Sequence, residues 1–572
     1  MIIDYNDRTK TFDISCTVME NQYVAGMPSK RYRNSARLWK ANCLSLNSKY
    51  LLDSPILRGA MTGKALEIAN KSVKRVLNRR EPFPVWYRFK TNPFNHQRKA
   101  LDWLWGLSRY AIFAEMGTGK TKIAIDLSAA RFMTGEIDSW VVFCPNSVRD
   151  IWVDEWKCHS PLSDIPVFIV GDLNKARARK LSEEICGQQR FVAICGIESL
   201  QVGHRDGYAY DVTLNIINGR KYAAIVDESH YIKNPDANRS RNIEQLMVNT
   251  RYGGVMTGSP IARTILDLYQ QFHVLDPDII GIGDYYSFRN RYAEFGGYEN
   301  REIVGYKNMD ELMGLIKPYV FQCTKSEVLD LPEKLYSKRM VKMADEQSRV
   351  YKSILKEYEA LIKDLSRGGH PIEVIVEQVL AQYTALQQIT GGFINYDDPG
   401  DGSEVPVRRT AWIVPPHGNP KVREVIDIAE ENPDSQIIIW AKFRNEIAVV
   451  VEGLRHRFGP DCVAEFHGGI EPSQRRHQLE LFKSGTARFF VANQQTGGTG
   501  LTINESNLVI YFSNSFRLVD RIQSEDRNHR IGQKSDVLYI DLVCAGTKDV
   551  DILAAIKDKK DLAEWVRCHL GS

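Results

Sequence analysis

Apolar positions recur along the chain in two alternating signatures. Short apolar runs bounded by turn residues read as buried strands, and the stretches between them carry the 3.6-residue period of helices. Between residues 90 and 330 the runs are Ala111–Ala114, Trp140–Cys144, Phe191–Cys195, Tyr222–Val226 and Gly254–Met256, with a helix over 97–107 leading in. From about residue 417 the pattern resumes at Gln436–Trp440, Val463–His467, Ala487–Val491, Leu508–Phe512 and Val537–Val543. Strands that alternate with helices specify parallel sheets, because parallel neighbours need a crossover connection. The fold class is therefore α/β, with two tandem parallel-sheet lobes.

The remaining stretches have other patterns. Residues 1–52 read as a small β-rich module, because Phe12–Val18 alternates apolar and polar at period 2. Lys64–Arg80 reads as a helix, and Pro82-Phe-Pro84 as the joint that ends it. Asp345–Leu365 and Ile372–Ile389 read as amphipathic helices, and the Gly- and Asp-rich residues from Thr390 to Ser403 as a loop. The expected domains are 1–85 (N-terminal module), 86–334 (first lobe, with a helical extension at 270–330), 335–410 (helical insertion) and 411–572 (second lobe).

A chain of 572 residues exceeds one core, in keeping with this division. No run of 18 apolar residues occurs, so no membrane partner is expected, and the N-terminus lacks the blocks of a secretory signal. The ten cysteines form no C-x-x-C pair, which argues against a zinc ribbon and for a reducing compartment: bacterial or virus-infected cytoplasm, or a nucleus in a eukaryote. The net charge of +4 is unevenly spread. Residues 1–90 hold eight lysines and nine arginines against four aspartates and three glutamates, a charge of +10 that leaves −6 for the rest. In the module Lys30, Arg31, Arg33, Arg37 and Lys40 interleave with Tyr32 and Trp39. Cations among aromatics suit a nucleic-acid backbone and a stacked base, or the aromatics form the module's core and the cations a solvated face.

The chemistry starts after the first strand. Ala114–Thr121 has the spacing A-x-x-x-x-G-K-T of a phosphate-binding loop, with alanine for the first glycine. Gly117-Thr118-Gly119 lets successive N–H groups face one anion, at a helix N-terminus. Lys120 supplies charge to the β/γ-phosphates, and the Thr121 hydroxyl can ligate Mg²⁺. Asp227-Glu228 ends a later buried strand, where Asp227 can hold Mg²⁺ and Glu228 can polarise a water. The second lobe has no such loop, but Arg527 and Arg530 stand at i, i+3, as on one helical face, and can neutralise a transferring phosphoryl group. ATP and Mg²⁺ are the expected cofactors.

These pieces resemble the helicase-like ATPases of superfamily 2, and among them the Swi/Snf family of double-stranded DNA translocases. The matching strings run in order over about 93–545: Pro93–Gln97, Ala114–Thr121, Cys144–Trp152, Asp227–Asn234, Thr257-Gly-Ser-Pro260, Asp330–Lys334, Gln494–Leu501 and Gln523–Gln533. The resemblance implies RecA-like lobes and places Gln97 on adenine, Gln523 on the nucleotide, and Thr257 and Ser259 in coupling. It places Asn146, Ser147, Lys442, Thr496, Gly497 and Gly498 on DNA phosphates. Met27–Tyr32 and Leu38-Trp39 are similar to the HARP module of annealing helicases, which implies that Lys30, Arg31 and Arg33 meet double-stranded or branched DNA. The family's paired arginines are replaced by Phe321–Lys325, and its Asp-Pro-x-Trp-Asn by Ser513–Phe516. The expectation is a monomeric DNA-dependent ATPase that translocates on forks or junctions, with no protein partner implied. A strand-separating helicase and a non-travelling ATP-gated DNA-binding subunit of a nuclease or another partner are the alternatives.

Overall fold

The computed structural model describes the chain except at residues 18, 26, 29, 34–37, 75–80, 172, 201–207, 262–263, 297–301, 329–330, 368–380, 382, 399–406, 498–500, 502, 531 and 572. The side chains of 31, 42, 45, 71–74, 358–367, 397–398, 407–408, 472–473, 496–497 and 561–571 are likewise outside the description. The chain divides into two compact units, Met1–Val328 with Leu562–Ser572, and Leu329–Asp561.

The first unit opens with a four-stranded antiparallel sheet of β1 (Ile2–Asn6), β2 (Thr11–Ser15), β3 (Lys30–Arg33) and β4 (Leu38–Asn42), in the order β1-β2-β4-β3. Ile3 pairs with Ile14, and Phe12 with Ala41, so the period-2 pattern puts these residues on one buried face. The helix Gly63–Lys74 closes that face with Ala65 and Ala69. It covers the expected helix as far as Lys74, and the rest of the expected span, to Arg80, lies outside the described residues. Gly281, at a left-handed φ of 74°, packs where a Cβ would stand 2.5 Å from Leu46 Cβ, so glycine is required at this close approach of the module to the first lobe.

The first lobe is a seven-stranded, wholly parallel sheet. Its strands are β5 (Arg109–Ala114), β6 (Ser139–Cys144), β7 (Val167–Val170), β8 (Phe191–Gly196), β9 (Tyr222–Asp227), β10 (Tyr252–Met256) and, beyond a hairpin of β11 (Ala293–Gly296) and β12 (Glu302–Tyr306), β13 (Val320–Cys323). The order is β13-β5-β10-β9-β6-β8-β7. The central β6, β8 and β9 are buried throughout, as continuous apolar runs require. The 270–330 stretch is thus not helical only: short, partly exposed strands with mixed residues carry too little apolar pattern to be read as strands.

The second unit is a six-stranded parallel sheet, in the order β14-β21-β20-β17-β19-β18. It comprises β14 (Lys334–Val341), then, after a hairpin of β15 (Phe393–Asp398) and β16 (Val407–Trp412), β17 (Ile437–Ala441), β18 (Val463–Phe466), β19 (Phe489–Asn493), β20 (Leu508–Tyr511) and β21 (Val537–Cys544). Two expectations fail here. Residues 334–341 are the sheet's edge strand, not part of a helical insertion: β14 pairs with β21 along its length, and exposed Leu335, Tyr336 and Met340 hide its periodicity. Of the Gly- and Asp-rich stretch read as a loop, Phe393–Asp398 is the strand β15, and the part from 399 on lies outside the described residues. Among the described residues no helix is long and apolar enough to cross a membrane.

Candidate functional site

The C-terminal edge of the first sheet gathers the groups of interest, as open parallel sheets do. After β5 the chain turns through Gly117 and Gly119, at φ 83° and 80°, into the helix Lys120–Met133. Non-glycine residues are disfavoured in that region, so the glycines shape the turn. Thr118 Oγ1 donates to Glu115 O at 2.7 Å, and Lys120 Nζ to the same carbonyl at 3.4 Å. Thr121 stands half-buried at the head of the helix. Gln97 lies against this loop: its Nε2 donates to Thr118 O at 3.2 Å, and its Oε1 accepts from Phe94 N at 2.9 Å. His96 Nε2 lies 2.7 Å from Thr118 O. The Gln97 amide thus braces the loop through Nε2 and caps the start of its own helix, Asn95–Leu104, through Oε1.

β9 delivers Asp227, and Glu228 follows at φ 48°, ψ 51°, a left-handed conformation that costs a non-glycine residue on the order of 1 kcal/mol or more. Asp227 Oδ1 accepts from Glu228 N at 2.8 Å, and Oδ2 from Trp152 Nε1 at 2.9 Å. Burial pushes the Asp227 carboxyl up, and the adjacent Glu228 charge adds to it, to about 7 despite Lys120 nearby. Burial acts on Glu228 in the same sense, but contacts from His230, Lys120 and Thr257 outweigh it and hold Glu228 low and ionised. Thr257 Oγ1 donates to Glu228 Oε2 at 3.1 Å, and His230 Nδ1 lies 3.3 Å from that oxygen. Ser259 N donates to Thr257 Oγ1 at 3.1 Å. Gln271 ties the two loops together: its Oε1 accepts from Ser229 Oγ at 2.6 Å, and its Nε2 donates to Pro260 O at 2.7 Å.

Buried Asp227 and half-buried Glu228 place two adjacent carboxyl groups beside the Thr257 hydroxyl, an oxygen-rich donor set. That chemistry fits Mg²⁺, which takes one or two carboxylates and completes its shell with phosphates and water. Among the described residues no group of three or more His, Cys, Asp or Glu side chains suits a metal cage.

Of the segment expected to meet DNA in this unit, Ser147 is exposed, whereas Asn146 is held in place. Asn146 N donates to Glu198 Oε2 at 2.9 Å, and its Oδ1 accepts from Ser199 Oγ at 3.3 Å. In the N-terminal module Tyr32 is 48% exposed and packs on Trp39 with ring centroids 5.1 Å apart. Trp39 leans on the core and donates to Asn21 Oδ1 at 2.6 Å. Lys30 Nζ lies 5.6 Å from the Trp39 ring centroid and donates to Ala25 O, while Arg33 is exposed. The side chain of Arg31 and all of Arg37 lie outside the described residues.

In the second unit the helix Leu518–Glu525 is pinned by Arg521. This buried arginine donates to Asp541 Oδ1 at 2.5 Å and Glu525 Oε1 at 2.7 Å and lies 3.5 Å from the Tyr511 ring centroid. The helix ends at Glu525, so Arg527 and Arg530 do not share a helical face as expected; they follow it in a turn. They nevertheless converge: Arg527 Nη1 donates to Leu501 O at 3.2 Å and Arg530 Nη1 to the same oxygen at 3.1 Å. Gln523 O accepts from Arg527 Nε at 3.1 Å. Lys442 is not an open cation, because its half-buried ammonium donates to Gln387 Oε1 at 2.6 Å. Gly497 ends the short helix Gln494–Gly497, while the Thr496 side chain and Gly498 lie outside the description.

Trp152 and Gln271 are contacts that the strings of the sequence do not announce. Trp152 sits in the Cys144–Trp152 segment, but a tryptophan aimed at a carboxylate has the same sequence signature as one in a core.

Comparison with known proteins completes this picture. The family description "SNF2-related domain" matches residues 96–391, and "Helicase conserved C-terminal domain" matches residues 420–532. The chain belongs to the SNF2-related family of helicase-like ATPases. It is similar to the TATA-binding protein-associated factor MOT1 of Saccharomyces cerevisiae, 22% identical over 85% of this chain and 28% of that protein. It is also similar to the DNA annealing helicase and endonuclease ZRANB3 of Bos taurus, 24% identical over 77% of this chain and 37% of that one. The chain thus spans about a quarter to two fifths of the length of these two relatives. A solved Sulfolobus solfataricus SWI2/SNF2 ATPase core in complex with dsDNA aligns over 86% of this chain and 97% of its own, at 20% identity and a TM-score of 0.37.

Proposed function

We propose that the chain is an ATP-dependent translocase on double-stranded DNA that acts at forks or junctions. The observation that carries the reading is the hydrogen bond from Thr257 to Glu228, which joins the water-activating carboxylate to the Thr-Gly-Ser-Pro loop. An ATPase that only binds has no need to wire its base to a second loop; a motor must couple the two. Family membership supports the nucleotide, and a bovine relative named as a DNA annealing helicase supports the choice of DNA.

In this reading the amides of Gly117, Thr118 and Gly119 with Lys120 cradle the phosphates, and Gln97 acts on the nucleotide from the loop it braces. Thr121 and Asp227 would hold Mg²⁺, which would supply positive charge against the phosphates. Glu228, ionised, orients and polarises the attacking water. Arg527 and Arg530, with Gln523 beside them, supply cationic charge from the second lobe once released from Leu501 O. Ser147 and the backbone around Asn146, with Thr496–Gly498 and Lys442 in the second lobe, meet DNA phosphates without reading sequence. Lys30, Arg31 and Arg33 add a branched-DNA contact.

The test is the ATPase rate with no DNA and with single-stranded, duplex and forked DNA. Stimulation by duplex and fork supports the reading, and a rate indifferent to all of them contradicts it.

A further inference from the structure

We infer that Trp152 is a positioning residue whose indole N–H holds the Asp227 carboxylate and ties it to the Asn146–Trp152 segment. The inference rests on the nucleotide-site reading above and adds to it a route between DNA and metal.

Trp152 is 2% exposed, and its Nε1 donates to Asp227 Oδ2 at 2.9 Å across 75 residues of sequence. The ring is itself held: it meets Trp140 edge-on at 5.8 Å, and Trp140 lies on β6, which pairs with β9. The indole therefore cannot swing freely, and the direction of its N–H is set by the sheet that carries Asp227. A core role alone does not demand this bond. Trp156, one turn further along the helix Arg149–His159, is also buried against Trp140, yet its Nε1 has no acceptor among the described residues. A buried N–H without a partner is destabilising, so an indole that finds one in a buried carboxylate is placed by more than shape.

The same helix begins where the candidate DNA segment ends. The turn Asn146–Val148 runs directly into Arg149–His159, and Arg149 Nε donates back to Asn146 O at 3.2 Å. A phosphate drawn onto Ser147 would load this turn, and the rigid helix would pass the displacement to Trp152 and hence to the orientation of Asp227. By thermodynamic reciprocity, Mg²⁺-nucleotide at Asp227 must strengthen DNA binding by the same factor by which DNA strengthens nucleotide binding.

The experiment uses the full chain with Trp152→Phe and Trp152→Tyr, which keep an aromatic ring and remove the N–H at that position. Equilibrium binding of a fluorescent ATP analogue is measured against Mg²⁺, in EDTA, and with or without a blunt duplex; melting temperature reports the fold. Groups that orient metal ligands typically change metal affinity by about 10-fold or more. The expected result is a Mg²⁺ half-saturation raised about 10-fold in at least one folded variant, with binding in EDTA unchanged and the tightening by duplex lost. Wild-type Mg²⁺ dependence and a retained duplex effect in the folded variants overturn the inference. So does loss of fold in both, since a positioning residue leaves the core standing. Lys120→Ala separates the two levels: if it binds the analogue like wild type, the nucleotide-site reading itself fails.

Discussion

Thr257 Oγ1 and Glu228 Oε2 stand 3.1 Å apart, with the hydroxyl donating to the carboxylate. The same hydroxyl accepts from Ser259 N, so the loop and the carboxylate share one hydrogen-bond centre. Removing it with Thr257→Val keeps the side-chain shape. A hydrogen bond to a charged group contributes about 1.5–3 kcal/mol, so kcat with duplex should fall about 10- to 100-fold. Nucleotide affinity should change little. Steady-state kinetics with a parallel binding titration checks this, and an unchanged kcat would remove Thr257 from coupling.

Glu228→Gln tests the base itself. The amide fills the same space but cannot act as an ionised acceptor, and loss of a general base lowers rates by about 10²–10⁴. ATP and DNA binding should persist, so the variant should form a long-lived ternary complex visible by filter binding. Turnover within a few-fold of wild type would reassign the role.

Gly119→Ala tests the loop. A Cβ there would lie 2.1 Å from Gln97 Nε2, at a φ of 80° that alanine disfavours. Either the loop or Gln97 must move. Nucleotide binding should be lost while the melting temperature of the apo protein stays near wild type. Wild-type affinity would show that the loop does not set the site.

Arg527→Ala and Arg530→Ala test the second lobe's contribution. An arginine that stabilises transition-state charge is worth about 10³–10⁵ in rate. At least one of the two should reach that loss with ATP affinity retained. A shared loss in both is consistent with their common anchor on Leu501 O.

Glu525 sets an acid limit on the second lobe. Although burial alone would raise it, Lys334, Lys560 and Arg521 hold its carboxyl well below the usual value of 4.5. A depressed folded-state pKa stabilises above the unfolded value and is lost as pH falls toward the folded one. The melting-temperature gap between wild type and Glu525→Gln should therefore be full at pH 7 and narrow below about pH 4.5. A gap that widens on acidification would contradict the ion-pair assignment.

Both sheets were legible because β6, β8, β9, β17, β19 and β20 are continuous apolar runs between helices. β7 and β13 were not, since four residues are too few to show a period, and neither was β14, whose Leu335, Tyr336 and Met340 lie exposed among lysines and arginine. Of the candidate site, the loop Ala114–Thr121 was legible through its spacing, and Asp227-Glu228 through its place at the end of a buried strand. Trp152 and Gln271 were not: their roles come from where a side chain points across 75 and 42 residues of chain. The turn after Glu525 was also hidden, because an i, i+3 arginine pair has the same spacing in a helix and past its end.

The central claim is travel along duplex DNA. The most direct measurement is the saturating ATPase rate on a series of blunt duplexes of increasing length, at fixed concentration of ends. A translocase spends more of its cycle moving on longer tracks, so the rate should rise with length and then level off. A rate that is stimulated by DNA but independent of length would contradict translocation and identify a stationary ATP-gated clamp.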